Sequence, residues 1–256
     1  MAEHIKRMKD GIYEKVMSKE FADRLMEAIE AKKVWAERDD ADAYEATGYL
    51  SSYLEKLIRL CLKDIADRNT EAVLSDEIEL TNQLVEMLAE RLPDLGHGHS
   101  VVKNQFLLKS LEHVANKTSP RKWESPDTSL TKSFLFTNSH NDTSMVSELR
   151  KEIMSADRID FLVSFIRFSG LALLLPYLRD FTNKGGHLRV ITTTYMGATD
   201  PKAVVELAKL PNTEIHISYN VKETRLHAKS YIFHRDSQFS TAYIGSSNLS
   251  HAAIAE

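Results

Sequence analysis

The chain has 256 residues, of which 43% are hydrophobic and 27% charged, a balance typical of globular proteins. No apolar run approaches the roughly 18 residues that a membrane-spanning helix needs, and the N-terminus lacks the apolar core of a signal peptide. We therefore expect no membrane partner. The single cysteine, Cys61, excludes an internal disulfide and a multi-thiolate metal site. It predicts a cytoplasmic protein in which Cys61 is packed in a helical core.

The charge is distributed unevenly along the chain. The formal net charge is −4, which argues against indiscriminate binding of nucleic acid. Residues 1–125 carry 19 Lys and Arg against 24 Asp and Glu, whereas residues 126–256 carry 14 against 13. A polyanionic partner is therefore expected to meet the second half of the chain, through local geometry.

The first half has the periodicity of helices. Apolar residues recur at spacings of three and four in four segments, the last of them over 100–117, and acidic or Pro- and Gly-containing breakers separate these segments. This pattern predicts an all-helical domain over residues 1–117. Residues 118–132 contain two prolines and several Ser and Thr, which predicts a linker.

From residue 133 onward, strand and helix patterns alternate. Apolar strand patterns occur at 134–137, 158–166, 187–195, 214–219, 226–233 and 241–246, and helical patterns at 144–156, 170–184 and 201–210. Gly185 is suited to a left-handed helix stop, and Asp200 followed by Pro201 to a helix start. The order predicts an α/β domain over 133–256, with a mixed sheet flanked by helices.

The candidate catalytic residues lie in the stretch RLHAKSYIFHRDSQFSTAYIGSSNLS, residues 225–250. Side chains alternate along a strand, so His227 and Lys229 point the same way, with Cα atoms roughly 7 Å apart. If Ser246 and Asn248 lie beside them, an imidazole, an ammonium, a hydroxyl and a carboxamide converge at one end of the sheet. A neutral imidazole can attack phosphorus, while Lys and amide donors stabilise the charge on the non-bridging oxygens. This chemistry requires no metal.

Other polar residues are weaker candidates for contact with a substrate. They lie at the predicted strand ends or within the motif itself, where loops often bind ligands; they are Arg167, Ser169, Thr194, Arg225 and Ser247. The alternative for each is an ordinary polar loop residue.

These residues resemble the signature of the phospholipase D superfamily, which is His-x-Lys, four residues, Asp, and about six residues later Gly-Ser/Gly-x-Asn. His227, Lys229, Gly245, Ser246 and Asn248 match the signature. His234 occupies the place of the aspartate, Asp236 follows two residues later, and the spacing to the glycine is longer. Nuclease branches of the superfamily are similar in that they keep His, Lys and Asn while the acid varies.

The resemblance covers nearly the whole chain, most specifically residues 134–250, and extends to the phospholipase D-like domain at the front of bacterial superfamily II DEAD/DEAH-box helicases. It implies DNA as the partner, a covalent phosphohistidine and no cofactor for this site. It also implies a domain that is incomplete at its C-terminus, because the family glutamate falls after Glu256. A helicase motor would follow in the same parent chain, and only that motor would need ATP and Mg²⁺.

Two further functions compete with a metal-independent nuclease. One is a DNA-binding or targeting module with a decayed site, motivated by the missing aspartate and the near-neutral charge. The other is phosphatidyl transfer, which the absence of an amphipathic or basic membrane-binding segment disfavours. Because one His-x-Lys motif supplies a nucleophile but no general acid, we also expect a homodimer through the phospholipase D-like domain.

Overall fold

The computed structural model describes residues 12–38, 40, 42–68, 71–92, 97–104, 107–112, 124–136, 144–220 and 226–254. The chain divides into two compact units, Met1–Lys109 and Ser110–Glu256. Within the described ranges, none of the helices has both the length and the apolar character needed to cross a membrane.

The described part of the first unit is helical. It contains α1 (Lys19–Glu30), α2 (Ala43–Asp67), α3 (Val73–Ala89) and a short 3-10 turn at His97–His99. Ser18 and Asp42 cap the first two helices by accepting hydrogen bonds from main-chain N–H groups. These helices fit the predicted all-helical character of this part of the chain.

The helix predicted over 100–117 does not form in the residues of that range that the structure describes, which are 100–104 and 107–112. The backbone of Val101 instead exchanges two hydrogen bonds with the side chain of Asn82 in α3, at 2.7 and 3.1 Å. An amide side chain that satisfies both backbone groups of a residue replaces the ladder that a helix would provide. The prediction was therefore wrong for these residues.

The expected burial of Cys61 was also wrong, because its side chain is exposed. No residue of α2 is fully buried. Its half-buried positions form one stripe, Ala46, Tyr49, Tyr53, Leu62 and Ile65, and Cys61 lies beside this stripe. Periodicity identified the amphipathic helix, but the half-buried face contains Leu62 and not its neighbour Cys61.

The second unit is an α/β domain. Its helices are α4 (Met145–Ser155), α5 (Phe168–Asn183), α6 (Pro201–Ala208) and α7 (His251–Ile254). Its strands are β1 (Arg158–Val163), β2 (His187–Thr193), β3 (Thr213–Ser218), β4 (Lys229–His234) and β5 (Thr241–Ile244). The strands form one sheet in the order β3-β2-β1-β4-β5. β1, β2 and β3 are parallel, and β4 is antiparallel to both β1 and β5. This confirms the predicted mixed sheet with flanking helices.

The predicted strand at 134–137 is not formed in residues 134–136. Phe134 packs edge-on against Phe136, and the ring of Phe136 lies 5.7 Å from that of Tyr243 in β5. Only Phe136 of this segment therefore packs on the sheet, while Phe134 and Leu135 are exposed, and the strand prediction was wrong for these residues.

The core of the second unit lies between the sheet and the helices α4 and α5. Ile159, Phe161 and Val163 alternate along β1 and are almost fully buried. They belong to one cluster with Leu149 of α4 and Leu174 of α5. Gly185 follows the C-cap residue of α5 and has a left-handed backbone conformation, with φ of 96°, as predicted for a helix stop.

A buried polar cluster fixes the β4–β5 hairpin to α4. Glu152 is fully buried and accepts hydrogen bonds from Arg235 in the hairpin turn, from Thr241 Oγ1 and from Tyr243 OH. Such a cluster specifies one arrangement, because removal of any member leaves a buried polar group unpaired. The hairpin that carries both halves of the motif is thereby held against the helical layer.

Candidate active site

The strand directions bring the candidate residues to one edge of the sheet. The carboxyl ends of β1, β2, β3 and β5 meet there with the amino end of β4. Lys229 is the first residue of β4, and Gly245–Asn248 directly follow β5. Loops at the carboxyl ends of strands in open α/β sheets commonly bind ligands.

Lys229 and His227 are in direct contact. Lys229 Nζ lies 3.0 Å from Nδ1 and 2.9 Å from Nε2 of His227, and it donates to the main-chain oxygen of His227 at 3.2 Å. Lys229 is only 7% exposed, whereas His227 is exposed. Among the described residues, no carboxylate forms an ion pair with Lys229, so this buried ammonium has only the imidazole and a carbonyl as partners.

Ser164 fixes the backbone between these two residues. It is fully buried, and both its N–H and its hydroxyl donate to the carbonyl oxygen of Ala228, at 2.9 and 3.1 Å. The hydroxyl of Thr192 in turn donates to Ser164 O at 3.2 Å and lies 3.2 Å from that of Thr199. A chain of buried hydroxyl groups thus connects the end of β2 with the His-x-Lys backbone.

Asn248 lies against the same backbone segment. Its side-chain oxygen accepts a hydrogen bond from Phe165 N at 3.3 Å, one residue after Ser164. Gly245 N donates to Lys229 O at 3.2 Å, which places the start of the Gly-Ser-Ser-Asn stretch beside Lys229. The chain directly after this stretch is packed tightly against α5, since a Cβ at Gly170 would lie 2.5 Å from the Cα of Ser250. The structure therefore brings His227 and Lys229 into contact and places Asn248 at the same edge of the sheet.

The remaining candidates are less closely grouped. Ser246 follows Gly245 and is exposed, and Ser247 is half-buried, with its carbonyl accepting from Tyr231 OH at 3.0 Å. Ser169 is exposed in the first turn of α5. Thr194 lies at the end of β2, which β1 separates from β4, and its hydroxyl is 3.5 Å from Ser218 O. Arg225 lies outside the described residues.

Arg167 lies four residues after the end of β1 and is the N-cap residue of α5. Its Nη1 donates to Asp200 Oδ1 at 2.9 Å, and Asp200 Oδ2 accepts from Phe168 N at 2.8 Å. These hydrogen bonds, that of Phe168 N above all, hold the pKa of Asp200 below its usual range. Asp200 was predicted to cap α6. It occupies that position, but its carboxylate caps α5 instead.

His234, which occupies the aspartate place of the signature, lies at the other end of β4. Its Nε2 is 2.8 Å from Asp160 Oδ2, and Asp160 also accepts two hydrogen bonds from Arg189 at 3.0 Å. Burial alone would raise the pKa of Asp160, but the hydrogen bonds of His234 and Arg189 outweigh burial and lower it. Position 234 therefore belongs to a polar cluster distant from His227.

No group of three His, Cys, Asp or Glu side chains able to hold a metal ion occurs in the part of the chain that the structure describes. The groups in contact with Lys229 Nζ are the imidazole and the carbonyl of His227, and a buried ammonium with these partners suits an anion.

Sequence reasoning did not identify Ser164 or the second role of Asp200. Ser164 falls within a strand-like apolar run, where a lone serine gives no signal until the pairing of β1 with β4 is known. Asp200 had a local explanation as a helix cap, and the partner that it contacts lies 32 residues earlier. Both are contacts between segments that only the tertiary fold brings together.

A family model described as the NgoFVII restriction endonuclease N-terminal PLD domain matches residues 145–256. No curated protein matches the chain. The matched range contains the whole five-stranded sheet, the His-x-Lys pair and the Gly-Ser-Ser-Asn stretch. Residues 145–256 are therefore similar to the N-terminal phospholipase D-like domain of a restriction endonuclease family, and the match supports a phospholipase D-like nuclease domain in this part of the chain.

Proposed function

We propose that the second unit is a nuclease domain that hydrolyses phosphodiester bonds of DNA through a covalent phosphohistidine at His227, without a metal. The observation that carries the proposal is the buried ammonium of Lys229 in contact with His227, with no carboxylate ion pair among the described residues. A buried charge without a counter-ion is costly, so the site favours an anionic ligand. The similarity to a restriction endonuclease domain makes a DNA phosphate the best candidate.

The proposed reaction has two displacements. A neutral imidazole has one acceptor nitrogen, and Lys229 can donate to it until a phosphate oxygen takes over that donor. The freed nitrogen of His227 then forms a P–N bond, the P–O bond to the leaving oxygen breaks, and a general acid protonates that oxygen. Water next forms a new P–O bond, the P–N bond breaks, and the proton of the water returns to the acid. Lys229 and the carboxamide of Asn248 stabilise the charge on the non-bridging oxygens.

The source of the acid is proposed to be a second copy of the chain. Family resemblance places two His-x-Lys motifs face to face, and this chain has one. A two-fold dimer through the second unit would bring the same patch of each copy together. Sedimentation of a concentration-independent monomer would overturn this part of the proposal. Full activity in dimers that carry one His227→Ala subunit would also overturn it.

From the sequence resemblance alone, we also propose that the nuclease domain acts as part of a DNA helicase. The competing hypothesis, a decayed DNA-targeting module, was motivated by the missing aspartate. The position of His234 at the far end of β4, where it contacts Asp160, weakens that motivation.

The experiment that separates these functions is cleavage of labelled DNA by the longest natural form of the protein, with EDTA present. We expect cleavage that persists in EDTA and that His227→Ala reduces by at least the roughly 10²–10⁴-fold effect of a lost catalytic group. His216→Ala, which removes an exposed histidine of β3, is the matched control and should cleave normally. DNA binding without His227-dependent cleavage would favour the targeting module.

A further inference from the structure

A continuous line of contacts leads away from the motif along the sheet edge. Leu249, next to Asn248, accepts a hydrogen bond at its carbonyl oxygen from Arg167 N at 2.8 Å, and Ile166 forms a β-bridge with Leu249. Phe168 follows Arg167 and starts α5. The main chain of Arg167 is therefore joined to the segment that carries Asn248, at the same edge of the sheet as Lys229.

Asp200 orients the side chain of Arg167 but occupies only part of its hydrogen-bonding capacity. Its side chain is 48% exposed, and the ion pair with Asp200 involves Nη1 at 2.9 Å. A guanidinium has five N–H donors in a fixed fork. The side chain is thus held in place by Asp200 while further donors remain for a phosphate.

Lys202 extends the line to the next helix. It is exposed in the first turn of α6, and its Nζ lies 3.8 Å from the ring centroid of Phe168. A cation–π contact holds an ammonium in position without neutralising its charge. Two carboxylates lie beside these cations. Asp200 is bound to Arg167 and to Phe168 N. Glu206, one turn after Lys202, pairs with Lys209. The line is therefore positively charged overall.

We propose that Lys229, Arg167 and Lys202 form a phosphate track, which binds consecutive phosphates of a nucleic acid strand as it crosses the sheet edge. The proposal rests on the proposed function in one respect, that the scissile phosphate is the one at Lys229 and His227. Arg167 and Lys202 hold the flanking backbone and contact no base, so the track fixes the position of the strand and not its sequence.

The salt dependence of binding counts the phosphate contacts. For duplex DNA, the slope of log K against log salt changes by about 0.9 for each phosphate that a cation neutralises, and for single strands by about 0.7. The experiment measures fluorescence anisotropy of a labelled duplex oligonucleotide with the full 256-residue chain. His227→Ala is present in all variants, so that no cleavage occurs.

We expect Arg167→Gln and Lys202→Gln each to make the slope shallower by about 0.9, and the double variant to make it shallower by about 1.8. The matched control is Lys184→Gln, which removes the same charge at the opposite end of α5, where Lys184 pairs with Asp180. Its slope should equal that of the parent. Thermal melting checks that each variant is folded. Lys202 is exposed and forms no ion pair with a carboxylate in the described part of the chain, so its variant remains informative if Arg167→Gln unfolds.

An unchanged slope in Lys202→Gln, or an equal loss in Lys184→Gln, would overturn the track. So would the absence of any DNA binding by the parent. The outcome is distinct from that of the cleavage experiment. Cleavage with unchanged slopes would leave the nuclease in place and remove the track. The expected slopes without cleavage would keep the track and remove the nuclease.

Discussion

His234 and Asp160 are joined by a contact of 2.8 Å, at the end of the sheet opposite to His227. His234 is five residues along β4 from Lys229, which corresponds to about 16 Å at the rise of a strand. The side chain at the aspartate place of the phospholipase D signature thus stabilises the packing of β4 on β1. Its identity leaves the groups around His227 unchanged.

We expect His234→Asp, which restores the residue of the signature, to destabilise the protein without increasing cleavage. The new carboxylate would face Asp160, and like charges at this distance repel. The free energy of unfolding should fall by about 1–3 kcal/mol in urea denaturation, the range for a lost hydrogen bond to a charged group. His234→Gln is the control that keeps a donor. An increase of tenfold or more in the cleavage rate of His234→Asp would place position 234 in the reaction.

The contribution of Asp160 to stability should depend on pH. Burial raises its pKa, but the hydrogen bonds of His234 and Arg189 and the charges of Arg189 and Arg158 outweigh burial, so the pKa is lower in the folded protein than in the unfolded chain. The contribution is therefore complete above the unfolded value of about 3.9 and is lost as the pH falls through the folded pKa. The difference in unfolding free energy between wild type and Asp160→Asn should be about 2 kcal/mol at pH 7 and shrink toward pH 3. A difference that grows on acidification would contradict this account.

The sheet of the second unit was largely predictable from the sequence. The apolar run of β1 predicted a buried strand, and the helical segments between β1, β2 and β3 imply parallel strands. The two halves of the motif were also predictable as neighbours, because a short turn joins β4 and β5. Alternation and turn signals are local, and these parts of the fold follow local rules.

The parts that were not predictable depend on contacts between distant segments. Residues 134–136 have the apolar pattern of a strand, yet they form none, and the ring of Phe136 packs on Tyr243. Val101 has a helical context, yet Asn82 takes its backbone hydrogen bonds. Ser164 becomes part of the site only because β1 pairs with the start of β4. No local pattern contains this information.

The buried cluster around Glu152 should dominate the stability of the second unit. We expect Glu152→Ala to lower the free energy of unfolding by about 3–5 kcal/mol, because it leaves the guanidinium of Arg235 buried without its carboxylate. Glu206→Ala breaks an ion pair with the exposed Lys209, where solvent screens the charges, and should cost far less. Chemical denaturation of the two variants measures the contrast. Equal losses of unfolding free energy in the two variants would contradict a dominant contribution of the cluster to stability.

Ser164 should act as a positioning residue for the motif. Ser164→Ala removes the hydroxyl donor to Ala228 O, worth about 1 kcal/mol, so we expect kcat to fall about fivefold with KM unchanged. The NMR signals of the His227 imidazole should shift as well. Ser155→Ala, whose hydroxyl contacts Arg235 in the hairpin turn, is the control that lowers stability without these effects. A fall in stability alone for Ser164→Ala would reduce Ser164 to a packing role.

The central claim is the covalent bond between His227 and phosphorus, and capture of that adduct tests it most directly. The longest natural form of the protein is mixed with DNA radiolabelled at the scissile phosphate, in EDTA, and denatured in alkaline detergent within one turnover, since a P–N bond to imidazole is labile in acid. We expect label on the peptide that contains His227, its release by acid, and its absence in His227→Ala. Cleavage at the wild-type rate by His227→Ala, or turnover without labelled protein at any time, would contradict the account.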